Sequence, residues 1–191
     1  MKISQRGIDL IKGFEGCVLR AYKCTSSEEY YTIGYGHYGA DVRPDSTITK
    51  TIAEIMLKDD IVKYETLVNI YSGYNFNQNE FDALVSFAYN IGSIKQLTKD
   101  GTRTKAEIAN AMLLYTHDSA GNELEGLVKR RKAEHDLFIE PVTDITDGYT
   151  ENTTIGELVT DIINGKFGIM ETRKNNLFEL LQGFVNKRLR G

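Results

Sequence analysis

The chain has 191 residues and a formal net charge of −4, with 41% hydrophobic and 26% charged residues. This length suits one sizeable core with a small appendage. The mildly acidic balance argues against a general nucleic-acid binder. No apolar run approaches the roughly 20 residues that span a bilayer, which argues against membrane insertion. The first ten residues lack the apolar segment of a secretory signal peptide, and two cysteines are too few for a disulfide scaffold.

The first 40 residues predict a helix followed by a small sheet. Ser4 is a suitable N-cap, and the apolar periodicity after it ends near Glu15, which lies just past the apolar face. Residues 17–40 are rich in Tyr, Thr and Gly, and they predict short antiparallel strands. The alternate glycines Gly34 and Gly36 would let a backbone or a ligand approach closely.

Helical periodicity dominates the chain from there to residue 140. The helical patterns cover residues 49–71, 81–92, 105–115 and 125–138. The first is one long helix, or two helices that divide around residues 58–60. The second is apolar nearly all round, so it predicts a central buried helix, with Asn77 or Asn79 as its cap. The fold class is therefore α+β, in a domain over residues 1–140.

The remainder of the chain predicts a linker and a second, smaller module. Residues 141–154 are polar and acidic and show no helical period, which indicates a linker. Residues 155–191 contain two helical patterns separated by the break Gly-Lys-Phe-Gly. We therefore expect a small helical module at this end.

Residues 14–38, FEGCVLRAYKCTSSEEYYTIGYGHY, resemble the phage-type lysozymes, the endolysins of glycoside hydrolase family 24. The family signature is a Glu, eight residues, an Asp or Cys, five residues, and a Thr that opens TIGYGH or a close variant. Glu15 and Cys24 keep the first spacing, whereas Thr32 follows after a gap two residues longer. The segments NEFDALVSFAYNIG and EGLVKRRKAEHDLF resemble the central and last helices of the family. The resemblance thus covers about residues 3–140.

The resemblance implies a two-lobed domain, in which a small sheet lobe and a mainly helical lobe flank a peptidoglycan cleft. It implies that Glu15 is the general acid at the base of this cleft, beside an arginine of the last helix. Arg130 or Arg131 would fill that position. Thr32 would place the attacking water from the opposite strand.

Cys24 occupies a position where many relatives carry an Asp that orients or activates this water. A thiolate can act as a base or nucleophile, but a free thiol is mostly protonated at neutral pH, and Lys23 is a candidate to stabilise the thiolate. The alternative is a small hydrophobe on the hairpin. The longer turn could displace Cys24. Glu28 and Glu29 in that turn are then candidates for a substitute carboxylate, or are solvated turn acids.

The histidines predict no metal site. For His37 the resemblance implies a structural role, in which it pairs with an acid that braces the sheet against the helical lobe. His117 and His135 lack partners at metal-ligand spacing, so we expect neither a metal nor another cofactor.

The Gly-Lys-Phe-Gly break resembles the CW-seven cell-wall-binding repeat at the end of some endolysins. Lys166, Phe167 and Arg173 carry this resemblance, although the repeat usually continues with Asn-Gly where this chain has Ile169 and Met170. The alternative is a helical hairpin that packs on the catalytic domain or dimerises.

The function implied by the resemblance is hydrolysis of the β-1,4 bond between N-acetylmuramic acid and N-acetylglucosamine, with inversion through a positioned water. The enzyme would act as a monomer, accumulate in the host cytoplasm, and reach the wall through a membrane lesion made by a holin. Two alternatives remain open. A lytic transglycosylase would use the same Glu without a water-positioning acid, and a cell-wall-binding protein would have lost catalysis.

Overall fold

The computed structural model describes residues 1–141, which form one compact unit. The helical module predicted after the linker, with Lys166, Phe167 and Arg173, lies outside the described residues. Within residues 1–141, no helix combines the length and the apolar character needed to cross a membrane. The elements in chain order are α1 (Gln5–Glu15), β1 (Val18–Tyr22), β2 (Tyr31–Gly34), β3 (His37–Gly39), α2 (Lys50–Asn69), α3 (Gln78–Ile91), α4 (Lys95–Thr98), α5 (Lys105–Met112) and α6 (Glu125–Ile139).

The three strands form one antiparallel sheet in the order β1-β2-β3, as the sequence predicts. Ile33 lies opposite His37 across the tight turn that joins β2 to β3. Gly34 and Gly36 both have positive φ angles, of 66° and 94°. Because glycine enters this region at little steric cost, the two alternate glycines are explained by this turn. The turn between β2 and β3 therefore lies beside Glu15 of α1 and Tyr89 of α3.

The N-terminus of α1 is fixed on α3 by a buried acid. Ser4 caps α1 by accepting a hydrogen bond from the N–H of Gly7, and its own N–H donates to Asp82 Oδ1 at 2.9 Å. Burial raises the pKa of Asp82, against the hydrogen bonds from Ser4 and Gln78. A Cβ on Gly7 would lie 2.9 Å from the Cβ of Asp82, so only glycine permits this approach. The far end of α1, which carries Glu15, is thereby placed over α3.

The helical lobe is built around α3, which packs against α1, α2 and α6. Asn77 caps α3 in a capping box with Glu80, which decides between the two predicted caps. The prediction of a central buried helix is confirmed, because most of α3 is buried. Residues 50–69 form one continuous helix, so the division around residues 58–60 does not occur. The short helix α4 was not predicted.

Candidate active site

Glu15 is the last residue of α1, and its side chain is partly exposed, at 21%. Gly16 ends the helix with a φ of 68°. The Glu15 Oε1 atom accepts a hydrogen bond from Arg130 Nη1 at 2.7 Å. Arg130 belongs to α6 and is buried, with its guanidinium 5.6 Å from the ring centre of Phe14. An acid that is open to solvent on one side is thus held by a buried cation on the other.

A second, fully buried acid holds Arg130 from behind. Arg130 Nε donates to Glu134 Oε1 at 3.1 Å, and the Ser86 hydroxyl donates to the same oxygen at 2.7 Å. Burial raises the pKa of Glu134, against the opposing charges of Arg131 and Arg130. Arg130 also donates to the carbonyl oxygen of Ser86 at 3.3 Å. The guanidinium of Arg130 therefore bridges Glu15 at the surface and Glu134 in the core.

Arg131 makes no hydrogen bond to Glu15 within residues 1–141. Its Nη2 donates to Asn90 Oδ1 at 3.0 Å and to Glu134 Oε1 at 3.2 Å. Its Nε lies 2.9 Å from Glu134 Oε2, an ion pair by distance that lacks hydrogen-bond alignment. The guanidinium also stacks 4.6 Å from the ring centre of Phe87, and burial lowers the pKa of Arg131. Of the two arginines left open by the sequence, Arg130 contacts Glu15.

The turn between β2 and β3 passes beside the Glu15 carboxylate. A Cβ on Gly36 would lie 3.7 Å from Glu15 Oε2 and 3.9 Å from the hydroxyl of Tyr89. That hydroxyl donates to the carbonyl oxygen of Tyr35 at 2.9 Å, which ties the turn to α3. Burial raises the pKa of Tyr89, and the nearby carboxylates of Asp60 and Glu15 raise it further. Glu15 therefore lies where the sheet meets the helices.

Thr32 and Cys24 lie on the sheet side of the site. Thr32 is buried in β2, opposite Tyr22 on β1 and Tyr38 on β3. Cys24 is exposed two residues after the end of β1. Among the described residues, no hydrogen bond joins Glu15 to Cys24 or to Thr32. Burial raises the pKa of Tyr22, and Cys24, Glu28 and Glu15 raise it further.

The turn after Cys24 is ordered by its own side chains. Glu28 is half-buried, and its Oε2 accepts a hydrogen bond from the backbone N–H of Cys24 at 2.8 Å. Among residues 1–141, Lys23 forms no ion pair; its Nζ donates to the carbonyl oxygen of Glu28 at 2.5 Å and lies 4.9 Å from the ring centre of Tyr31. Glu29 is exposed. Glu29 fits the expectation of a solvated turn acid, whereas Glu28 is partly buried and contacts the backbone of Cys24.

His37 joins the sheet to α2. Its Nδ1 lies 2.9 Å from Asp60 Oδ2, and its Nε2 lies 3.0 Å from Asp41 Oδ2. Burial alone would lower the pKa of His37, but the hydrogen bonds and charges of Asp60 and Asp41 outweigh it, so the pKa is raised. The hydrogen bond from His37 lowers the pKa of Asp41 in turn. The acid partner that the resemblance implies is present as Asp60.

Comparisons with known proteins show the family of this chain. The family model described as phage lysozyme matches residues 12–134. The chain belongs to the phage lysozyme family.

Several named endolysins are similar in sequence to this chain. The chain is 46% identical over 145 residues to the endolysin of Bacillus phage PZA, and the match covers 72% of this chain and 55% of that protein. It is 43% identical over 167 residues to the endolysin of Lactococcus phage c2, covering 86% and 71%. The chain thus spans about half the length of the Bacillus phage relative. The muramidase domain of SpmX from Asticaccaulis excentricus is 33% identical, with a TM-score of 0.65, covering 73% of this chain and 99% of that one.

His37 gives this phage lysozyme domain a pH-dependent stability. The raised pKa means that the folded state holds a proton more tightly than the unfolded state, whose histidine pKa is about 6.5. The contribution of His37 is therefore complete below that pH and is lost as the pH rises through the folded pKa. Asp41 acts oppositely and loses its contribution only in acid, as the pH falls through its lowered pKa.

We expect the difference in unfolding free energy between the wild type and His37→Gln to shrink as the pH rises from 6 toward 9, measured by urea denaturation. The control is His117→Gln, because His117 is exposed. That variant should follow the wild type at every pH. A constant difference between the wild type and His37→Gln would contradict the expectation.

Sequence reasoning missed several groups that support Glu15 in this phage lysozyme domain. Glu134 and Ser86 were not singled out, although Glu134 follows Arg130 by four residues, the spacing of neighbours on a helix. Tyr22 and Tyr89 carry no local signal beyond their aromatic character. Within residues 1–141, no group of three or more His, Cys, Asp or Glu side chains is placed to hold a metal ion.

Proposed function

We propose that the chain is an endolysin that hydrolyses the β-1,4 bond between N-acetylmuramic acid and N-acetylglucosamine in bacterial peptidoglycan, with Glu15 as general acid. The observation that carries the proposal is the pairing of the partly exposed Glu15 with the buried Arg130, at 2.7 Å, where the sheet meets the helices. It is supported by relatives named endolysins and by a solved relative named a muramidase domain.

In the proposed reaction Glu15 gives its proton to the glycosidic oxygen as the bond from that oxygen to the anomeric carbon breaks. A water attacks the anomeric carbon from the opposite face, which inverts its configuration. Thr32 orients this water from β2, and Cys24 lines the same side at the start of the turn. Gly36 lets the backbone pass close to the acid without a side chain in the way.

Arg130 and Glu134 form a buried ion pair beside Glu15, the residue that must gain and lose a proton in the proposed reaction. Arg130 is held by Glu134 and Ser86 as well as by Glu15. When Glu15 is protonated, Arg130 keeps its hydrogen bond to Glu134, which it shares with Arg131. When Glu15 has given up its proton, Arg130 stabilises the carboxylate that results.

The biological setting is proposed from the endolysin relatives. The enzyme would act as a monomer on peptidoglycan, without binding nucleic acid or inserting into the membrane. It would be held in the host cytoplasm until a holin opens the way to the wall. Lys166, Phe167 and Arg173 would add wall binding from residues 155–191.

A lytic transglycosylase is the second candidate. It would use Glu15 in the same way, but the muramic acid would close on itself to form an anhydro ring, without an attacking water. The observation that favours it is the replacement of the family Asp by Cys24, which makes no hydrogen bond to Glu15 among the described residues.

The deciding experiment is digestion of purified peptidoglycan, with the released sugars read by mass spectrometry. We expect products with reducing muramic acid ends. Anhydro-muramic acid ends would replace the proposal with the transglycosylase. An intact glycan, with the protein still bound to it, would leave a wall-binding protein.

A further inference from the structure

The turn between β1 and β2 carries a carboxylate in a defined position beside Cys24. We propose that Glu28 is the second carboxylate of the active site, which takes the proton from the attacking water. This inference rests on the proposed hydrolysis, and it assigns the base of that reaction to a residue outside the family signature. Cys24 then contributes its backbone N–H rather than its thiol.

The geometry of the turn directs Glu28 back to the signature position. The Glu28 Oε2 atom accepts the N–H of Cys24 at 2.8 Å, so the carboxylate is held beside the residue that occupies the signature position. The turn is fixed on both sides of this contact. Lys23 Nζ donates to the carbonyl oxygen of Glu28 at 2.5 Å, and the Glu28 N–H donates to the carbonyl oxygen of Thr25 at 3.3 Å.

The second oxygen of Glu28 is available for a water molecule. Within residues 1–141, Glu28 Oε1 makes no hydrogen bond, while Oε2 is occupied by Cys24. A half-buried carboxylate with one oxygen anchored and the other available has a fixed direction in which to accept a proton. Glu29, the neighbouring acid, is exposed and has no such anchor to Cys24.

Tyr22 links this carboxylate to the rest of the site. It lies opposite Thr32 in the sheet, and its pKa is raised first by burial, then by Cys24, and further by Glu28 and Glu15. Its strand partner is the residue proposed to orient the water. Glu28 lies in the turn before β2, Thr32 lies within β2, and Glu15 lies beside the turn after β2, so the three residues follow this strand along its length.

The chemistry favours a carboxylate over a thiol for this role. An ordinary carboxyl group is ionised at neutral pH, whereas an ordinary thiol is mostly protonated. The residue at position 24 and the length of the turn are therefore connected. Position 24 holds the Cys alternative of the signature, and the turn that follows is two residues longer and supplies an acid beside it.

The proposed step moves two protons, one from the attacking water and one to the glycosidic oxygen. Glu28 takes one proton from water as the water oxygen bonds to the anomeric carbon. The bond from that carbon to the glycosidic oxygen breaks, and the oxygen takes the electron pair and the Glu15 proton. Glu28 ends protonated and Glu15 ends ionised, and both return to their starting states by exchange with solvent.

The test compares Glu28→Gln with Glu29→Gln and Cys24→Ala in turnover of purified peptidoglycan. A glutamine at position 28 can still accept the N–H of Cys24, so the turn is kept while the base is lost. We expect Glu28→Gln to lose about 100-fold or more of kcat/KM, the range of a general base. Glu29→Gln should match the wild type, and Cys24→Ala, which keeps its N–H, should retain at least a tenth of the activity.

Two readouts separate a base from a residue that only shapes the turn. The acid limb of the pH profile of kcat/KM should disappear in Glu28→Gln. Sodium azide should restore turnover to Glu28→Ala by bonding to the anomeric carbon in place of water, and the sugar azide should appear in the mass spectrum. A structural role would give neither result.

The outcomes also separate this inference from the proposed function. If Glu28→Gln keeps more than a tenth of the activity while Glu15→Gln is inactive, Glu28 is not the base and the hydrolase proposal survives. If Cys24→Ala loses 100-fold while Glu28→Gln does not, the thiol is the base. If Glu15→Gln retains full activity, the proposed function itself fails.

Discussion

Glu15→Gln is expected to fold like the wild type and to lose about 10²–10⁴-fold of its activity on peptidoglycan, the range that a general acid contributes. The amide can still accept the hydrogen bond from Arg130, which now stands at 2.7 Å from Glu15 Oε1. It cannot give a proton to the glycosidic oxygen. The measurement is the rate of turbidity loss of purified cell walls, with thermal unfolding recorded on the same samples.

The matched control for this variant is Asp9→Asn on the same helix. Asp9 is exposed, and its carboxylate accepts a hydrogen bond from Gln5 on the surface of α1. Its substitution removes one negative charge, as Glu15→Gln does, but at a distance from the site. Asp9→Asn should lyse walls at the wild-type rate. Lysis by Glu15→Gln at that rate would remove Glu15 from the mechanism.

Glu134→Gln is expected to destabilise the domain by about 3–5 kcal/mol, the cost of breaking a buried ion pair by removing one partner. Arg131 is fully buried, and Glu134 is its carboxylate partner among the described residues. Arg130 would keep Glu15, but Arg131 would be left as an uncompensated charge. The free energy of unfolding from urea denaturation measures this loss.

Two further variants test the cause of that loss. Glu125→Gln also removes an acid from α6, but its surface pair with Lys129 is exposed, so the change should stay within about 0.5 kcal/mol. Combining Glu134→Gln with Arg131→Gln should recover part of the stability, because the unpaired charge is gone. Additive losses in the double variant would show that packing, not charge, dominates at this position.

Local signals predicted the scaffold of the site well. The N-cap at Ser4 follows from rules that act over a few residues, whereas the cap of α3 was narrowed only to Asn77 or Asn79, and the two glycines were expected to permit a close approach rather than to form a turn. The first helix therefore ends where the sequence indicates, with Glu15 at its terminus. The sequence left open whether α2 divides at its polar residues 58–60; the helix continues through them, and Asp60 contacts His37 there.

Contacts between distant residues were less predictable. The sequence offered Arg130 and Arg131 equally, because adjacent helix residues differ only in the direction they point, which depends on how α6 sits on α3. Glu134 was missed because an acid in a charged helix normally faces solvent. The contact of Glu28 with Cys24 depends on the conformation of an irregular turn, which the residue types alone do not define.

The pairing of Glu15 with Arg130 has a consequence for the order of events during synthesis. The two residues are 115 positions apart in the chain. At about 5–20 residues per second, the ribosome would add Arg130 roughly 6–23 s after Glu15. Glu15 is therefore made early but cannot pair with Arg130 until α6 has emerged and docked, so an unfinished chain carries this acid without the cation that holds it.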